Sequence, residues 1–168
     1  MKKISQIEIQ NLMGLHQRGL DDDVIKKANV LVKEYPEEII LLNLLGVSYE
    51  RKGLLKDASK AYKDALKINP NIPEMNFNLG AILFSENKVE EAIHFYKKAI
   101  QLNNNFPEAH FNLGIALQSG GEYDEAIQCY QKAIQIQPGF FEAITNIGTI
   151  RQLQGQLEEA EEFFKKSL

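Results

Sequence analysis

Gly46, Gly80, Gly114 and Gly148 stand 34 residues apart, and glycine recurring on so regular a ruler marks one unit copied along the chain. Ala58, Ala92, Ala126 and Ala160 keep the same interval, each twelve positions after its glycine, and Tyr62, Tyr96, Tyr130 and Phe164 keep it again. With several residue types in register, the apolar core is expected between neighbouring copies instead of around one centre.

Within a copy the apolar residues return at helical spacing in two stripes. In the second copy Leu79, Ile82 and Leu83 form one, and Ala92, Ile93, Tyr96, Ala99 and Ile100 form the other. Between the stripes lies Gly53, Gly121, Gly155 or Asn87, residues that tolerate a left-handed backbone and suit a helix end. Pro70 and Pro138 stop the second helix, and Asn104 takes that place once. Small residues such as Gly80 and Ala92 let the two helices approach, with the Tyr96 position filling the space above them.

The 34-residue period, the Leu-Gly step, the mid-unit alanine, the later aromatic and the closing Asn-Pro together resemble the tetratricopeptide repeat family. The resemblance implies an all-α fold, a right-handed α-α superhelix or solenoid of helix-turn-helix units, as a single array over 1–168. Full copies are expected at 39–72, 73–106 and 107–140, with an incomplete one at 141–168. A degenerate copy at 5–38 keeps the turn glycine Gly19 and the closing Pro36, but has Leu12 for the packing glycine and Val24 for the packing alanine.

Composition narrows the chemistry. The lone cysteine, Cys129, occupies the place of Phe95 in the preceding copy and reads as a small apolar group, with no disulfide framework. The N-terminus begins with charge but lacks the apolar stretch of a secretion signal, and no apolar run is long enough to cross a bilayer. A cytoplasmic address without membrane attachment is the expectation. A net charge of −4 argues against nucleic-acid binding through a general basic field. By copy the balance runs +3, −1, −3 and −2 from 39–72 onward, a polarity that a ligand lying lengthwise would sense, although solvated helix faces are the simpler account of it.

No phosphate loop, dinucleotide fingerprint, His-Glu-x-x-His site or serine elbow occurs. His16, His94 and His110 fall at different places in their copies and read as exposed or half-buried helical residues, not metal ligands. The acidic runs Asp21-Asp22-Asp23 and Glu158-Glu159 suit the positive N-terminal ends of helices. No catalytic residue, cofactor or metal is expected, and the chain does not read as an enzyme.

One polar feature recurs. Asn78, Asn112 and Asn146 stand two residues before the repeated glycine, and Leu44 breaks the series. Family resemblance places these first-helix residues on the concave face, where three stacked asparagines would form a ladder. An amide offers an acceptor and two donors, matching a peptide unit, so such a ladder can hold an extended backbone without choosing its side chains. The stretch 105–113 is similar to the repeats of the O-linked N-acetylglucosamine transferases, in which asparagines at the matching place grip bound peptides. The other reading is a helix-packing habit. Phe77 and Phe111 flank the series as candidate apolar contacts, and Glu74, Glu108 and Glu142 lie one turn earlier, either facing a basic or neutral ligand or complementing the helix dipole. Family members that clamp a carboxylate tail carry Lys and Arg where this chain has Ile40, Leu44, the glutamates and the asparagines, so that use is not expected.

The expected partner is therefore a protein or peptide. Two alternatives accompany it. The helix at 156–168 would leave Leu157, Phe164 and Leu168 partly uncovered, consistent with a self-associating scaffold or homodimer. The array also resembles front ends of proteins with a C-terminal glycosyl-, sulfo- or methyltransferase, which would make it a substrate-recruiting arm.

Overall fold

The computed structural model describes residues 4–166, which form α1 (Gln6–Gln17), α2 (Asp21–Glu34), α3 (Ile39–Arg51), α4 (Leu55–Ile68), α5 (Pro73–Ser85), α6 (Val89–Leu102), α7 (Pro107–Ser119), α8 (Tyr123–Ile136), α9 (Phe141–Leu153) and α10 (Leu157–Lys166). The helices α3, α5, α7 and α9 start 34 residues apart. The chain divides into two compact units, one running to Ile82 and one from Leu83.

Local chemistry sets the helix ends. Ser5 caps α1 in a reciprocal box with Glu8, its side chain accepting from the Glu8 N–H while the Glu8 carboxylate accepts from the Ser5 N–H. The first helix of each pair ends on a left-handed residue: Gly19, Gly53, Gly121 and Gly155 at φ 71°, 71°, 81° and 78°, and Asn87 at 60°. The following N–H then reaches back five residues, Leu54 to Tyr49 O at 2.8 Å and Glu122 to Leu117 O at 3.0 Å, capping the last turn in the Schellman manner. Asp21, Asp22 and Asp23 lie in the first turn of α2, and Glu158 and Glu159 in that of α10, where the helix dipole favours them.

Within a pair, glycine admits an aromatic ring. A methyl group on Gly114 would lie 2.6 Å from Tyr130 Cε1, and one on Gly148 2.7 Å from Phe164 Cε1; Gly46 meets the Tyr62 ring in the same way. The first pair solves the same problem with other volumes. Leu12, 1% exposed, stands where later copies have glycine, and Ala28, fully buried, stands where they have the aromatic. A large side chain has moved from the second helix to the first, so the sum is nearly kept. These two join Leu15, Val24, Leu41, Leu44 and Leu45 in the core of the first unit.

Phe164 is thus half-buried against α9, whereas Leu157 is 60% exposed; Leu168 lies outside the described residues.

Candidate functional site

The three asparagines occupy equivalent places on α5, α7 and α9, and each is half-buried. Their partner is the tyrosine of the preceding copy, sixteen positions back. In the first unit the Asn78 amide donates from Nδ2 to the Tyr62 hydroxyl oxygen at 3.1 Å, and that hydroxyl donates to Glu50 Oε2 at 3.0 Å. In the second unit Asn112 and Asn146 stand in the same relation to Tyr96 and Tyr130, each opposing the effect of burial on its phenol, and the Tyr130 hydroxyl donates to Gln118 Oε1 at 2.7 Å. At Tyr62 three helices are thereby linked through one phenol: α3 through Glu50, α4 that carries the tyrosine, and α5 through Asn78.

The register explains the exception. Sixteen positions before Leu44 stands Ala28, which has no hydroxyl to offer, and both residues lie in the apolar core. Asparagine appears where a tyrosine precedes it and leucine where none does. Burial raises the pKa of all three tyrosines. It pushes Tyr96 and Tyr130 up to about 12, with the facing asparagine amide pulling the other way, and the Glu50 charge adds to the burial effect at Tyr62. Each phenol therefore keeps its proton at neutral pH and remains a donor.

Above these bonds lie open clefts. One, of 370 Å³ in the first unit, is lined by Val47, Glu50, Arg51 and Asn78. Another, of 420 Å³ in the second unit, is lined by Ile115, Gln118, Ser119, Tyr123, Asn146 and Leu153. Val47 and Ile115, Glu50 and Gln118, Arg51 and Ser119, and Asn78 and Asn146 are pairs two periods apart, so the two clefts are one site built twice. Their chemistry differs: carboxylate and guanidinium in the first unit, neutral amide, hydroxyls and apolar groups in the second.

The other expected site residues are distributed unevenly. Glu74, Glu108 and Glu142 are exposed in the first turns of α5, α7 and α9. Phe77 is half-buried. Phe111 lies against Tyr130 and Phe140, with ring centroids 5.6 and 4.8 Å away, which commits much of its face to packing.

One histidine departs from expectation. His110 is 7% exposed, not surface-lying, and its Nε2 donates to Asn104 O at 3.2 Å. Asn76, one period earlier and 3% exposed, donates to Pro70 O at 3.1 Å and to Ile72 O at 2.8 Å. Both side chains reach back six residues to tie the inter-repeat loop, a role that their common register could have revealed. His94 is exposed and His16 half-buried. Cys129 is half-buried, and burial pushes its thiol up to about 11, far from a reactive thiolate. Among the described residues no cluster of His, Cys, Asp and Glu is arranged to hold a metal, and no helix is long and apolar enough to cross a membrane.

Sequence models of the tetratricopeptide repeat match residues 40–72, 107–140 and 129–162, and a TPR repeat model matches residues 80–120. The crystal structure of MamA superposes with a TM-score of 0.89 at 30% identity, over 99% of this chain and 94% of that one. YrrB, a TPR protein with an unusual peptide-binding site, superposes with a TM-score of 0.85 at 21% identity, over 98% of this chain and 84% of that one. The aspartyl/asparaginyl beta-hydroxylase of Mus musculus is 34% identical over 86 residues, which make up 51% of this chain and 11% of the hydroxylase. This chain thus matches a small part of that curated relative, while its likeness to the solved structures runs nearly end to end and places it among all-α repeat solenoids.

Proposed function

Because the chain belongs to the tetratricopeptide repeat family, we propose that it is a protein-interaction module whose first-helix faces hold extended peptide segments of a partner. Asn78 serves this end in the first unit, and Asn112 and Asn146 in the second. The observation that carries the reading is the repetition of one cleft, two periods apart, with an asparagine amide in its wall each time. A packing role alone requires the amide to meet its tyrosine; it does not require an open volume of several hundred cubic ångströms beside each one.

The asparagine–tyrosine bond uses one of the amide's two N–H groups, so Oδ1 and the second N–H stay available for a peptide backbone. Packing and recognition are therefore compatible in the same residue. Glu74, Glu108 and Glu142 bias the site toward neutral or basic segments, and Phe77 with the open edge of Phe111 adds apolar contact. The action is one of binding. The peptide-binding site named for YrrB lends the reading support at the level of the shared fold.

A random peptide library panned on the whole chain, followed by affinity measurement on Asn78→Ala/Asn112→Ala/Asn146→Ala, tests this. Loss of two or three amide contacts is expected to weaken the selected peptides by about tenfold or more. Unchanged affinity in a triple variant with full helical circular dichroism would remove the asparagines from recognition.

A further inference from the structure

The cleft of the first unit is walled by an asparagine whose amide is not free to turn, and the residue that holds it lies underneath. A carboxamide can present either oxygen or nitrogen to a neighbour, and the two are nearly isosteric. At Asn78 the choice is forced. The Tyr62 hydroxyl owns a single proton, and Glu50 Oε2, 3.0 Å away, is a carboxylate oxygen that accepts it. Toward Asn78 the same hydroxyl has only lone pairs left, so it must meet Nδ2, as it does at 3.1 Å. In the second unit the Tyr130 hydroxyl donates to Gln118 Oε1 at 2.7 Å, but Gln118 is itself a carboxamide that can present either atom, so no charge fixes the choice there. In the copy between, Phe84 stands in the place of Glu50 and Gln118 and its side chain supplies no acceptor, so the forcing element is the carboxylate beside Tyr62.

We propose that Tyr62 is a positioning residue for ligand recognition: by accepting from Nδ2 it leaves Oδ1 of Asn78 as the group that meets a backbone N–H of the bound segment. This rests on the functional reading above. Tyr62 does not touch the ligand; it is fully buried, and its ring packs against Gly46. The ligand class follows from the chemistry: an extended strand with a free main-chain N–H at the Asn78 position, so proline and N-methylated residues are rejected there. The chemistry beside each amide sets the neighbouring side chain. The Glu50 and Arg51 cleft fits a polar or charged side chain, and the Ile115, Tyr123 and Leu153 cleft an apolar one.

The probe is the tightest-binding dodecapeptide from the random library, resynthesised with each backbone N–H methylated in turn. On the unsubstituted chain, methylation at one or two positions is expected to weaken binding by about five- to tenfold, the worth of one hydrogen bond. Tyr62→Phe, which keeps the ring, should shrink that penalty at one position to less than about twofold, because a released amide can turn and offer its N–H instead. A penalty that persists undiminished at that position in the Phe variant, while Asn78→Ala abolishes it, would overturn the positioning role and leave the functional reading standing. A penalty untouched by Asn78→Ala overturns the positioning role, and one untouched by the triple alanine variant, or a library that yields no binder, overturns both. A ligand-free measurement covers the case in which the Phe variant does not fold. In the unsubstituted chain, the Asn78 side-chain amide protons should show slowed solvent exchange by nuclear magnetic resonance, and exchange at the rate of a free amide would overturn the proposal.

Discussion

At residue scale, a buried histidine does the work of an asparagine. His110 and Asn76 share one place in the repeat, and each donates to a carbonyl six residues earlier, but only the imidazole can take up a proton. Burial holds the His110 pKa below the usual 6.5, and the Lys132 charge adds to it, while the Asn104 carbonyl opposes both. The unfolded chain therefore protonates first as pH falls, so the stability tied to neutral His110 is complete above 6.5 and is lost below it. His16 is lowered for the same leading reason, burial, and adds to this trend. His110→Asn, borrowing the solution of Asn76, should keep the fold at pH 7.5 and show a shallower fall of melting temperature between pH 7 and 5 than the parent. Parallel profiles would show that His110 is not the titrating group. From letters alone the three histidines looked alike. What separated them was register, since one of them shares its place with another buried polar residue.

The element scale is where the sequence was most legible. Turn glycines, closing prolines and apolar stripes are local signals, and helix starts at Ile39, Pro73, Pro107 and Phe141 follow from them. What lay beyond reach was the pairing of volumes across two helices, because Leu12 and Ala28 look like two separate lapses until they are seen to offset each other. That exchange can be tested where the pattern is regular. Gly114→Ala sets a methyl group against the Tyr130 ring and should cost about 1 to 3 kcal/mol. Gly114→Leu should be worse alone, and adding Tyr130→Ala should recover part of the loss in urea denaturation, despite removing the hydroxyl bonds. A double variant no more stable than either single one would show that the first pair depends on other differences.

At the scale of the whole molecule, cohesion within each unit is passed from a helix to its neighbours in sequence, as repeat arrays do. The period made this readable. The tyrosine–asparagine link stayed hidden because its partners are sixteen residues apart on different helices, and each also has a sufficient reason of its own to recur: filling space above glycine for one, facing a groove for the other. Local cohesion predicts local damage. Gly148→Ala, which crowds Phe164, should speed amide exchange in α9 and α10 by about tenfold or more and leave α1 to α3 within about twofold, read by hydrogen exchange with mass spectrometry. A uniform rise along the chain would mean that it unfolds as one body. The same link also imposes a rule of agreement on how such a chain can be edited. Excising 63–96 would bring Tyr62 before Asn112 at the same interval of sixteen, and the bond could form anew. Excising 29–62 removes just as many residues and keeps the period, yet it sets Ala28 before Asn78 and strands the amide. Copies of one length are therefore not freely exchangeable parts: each carries half of a bond whose other half is spelled in the copy before it.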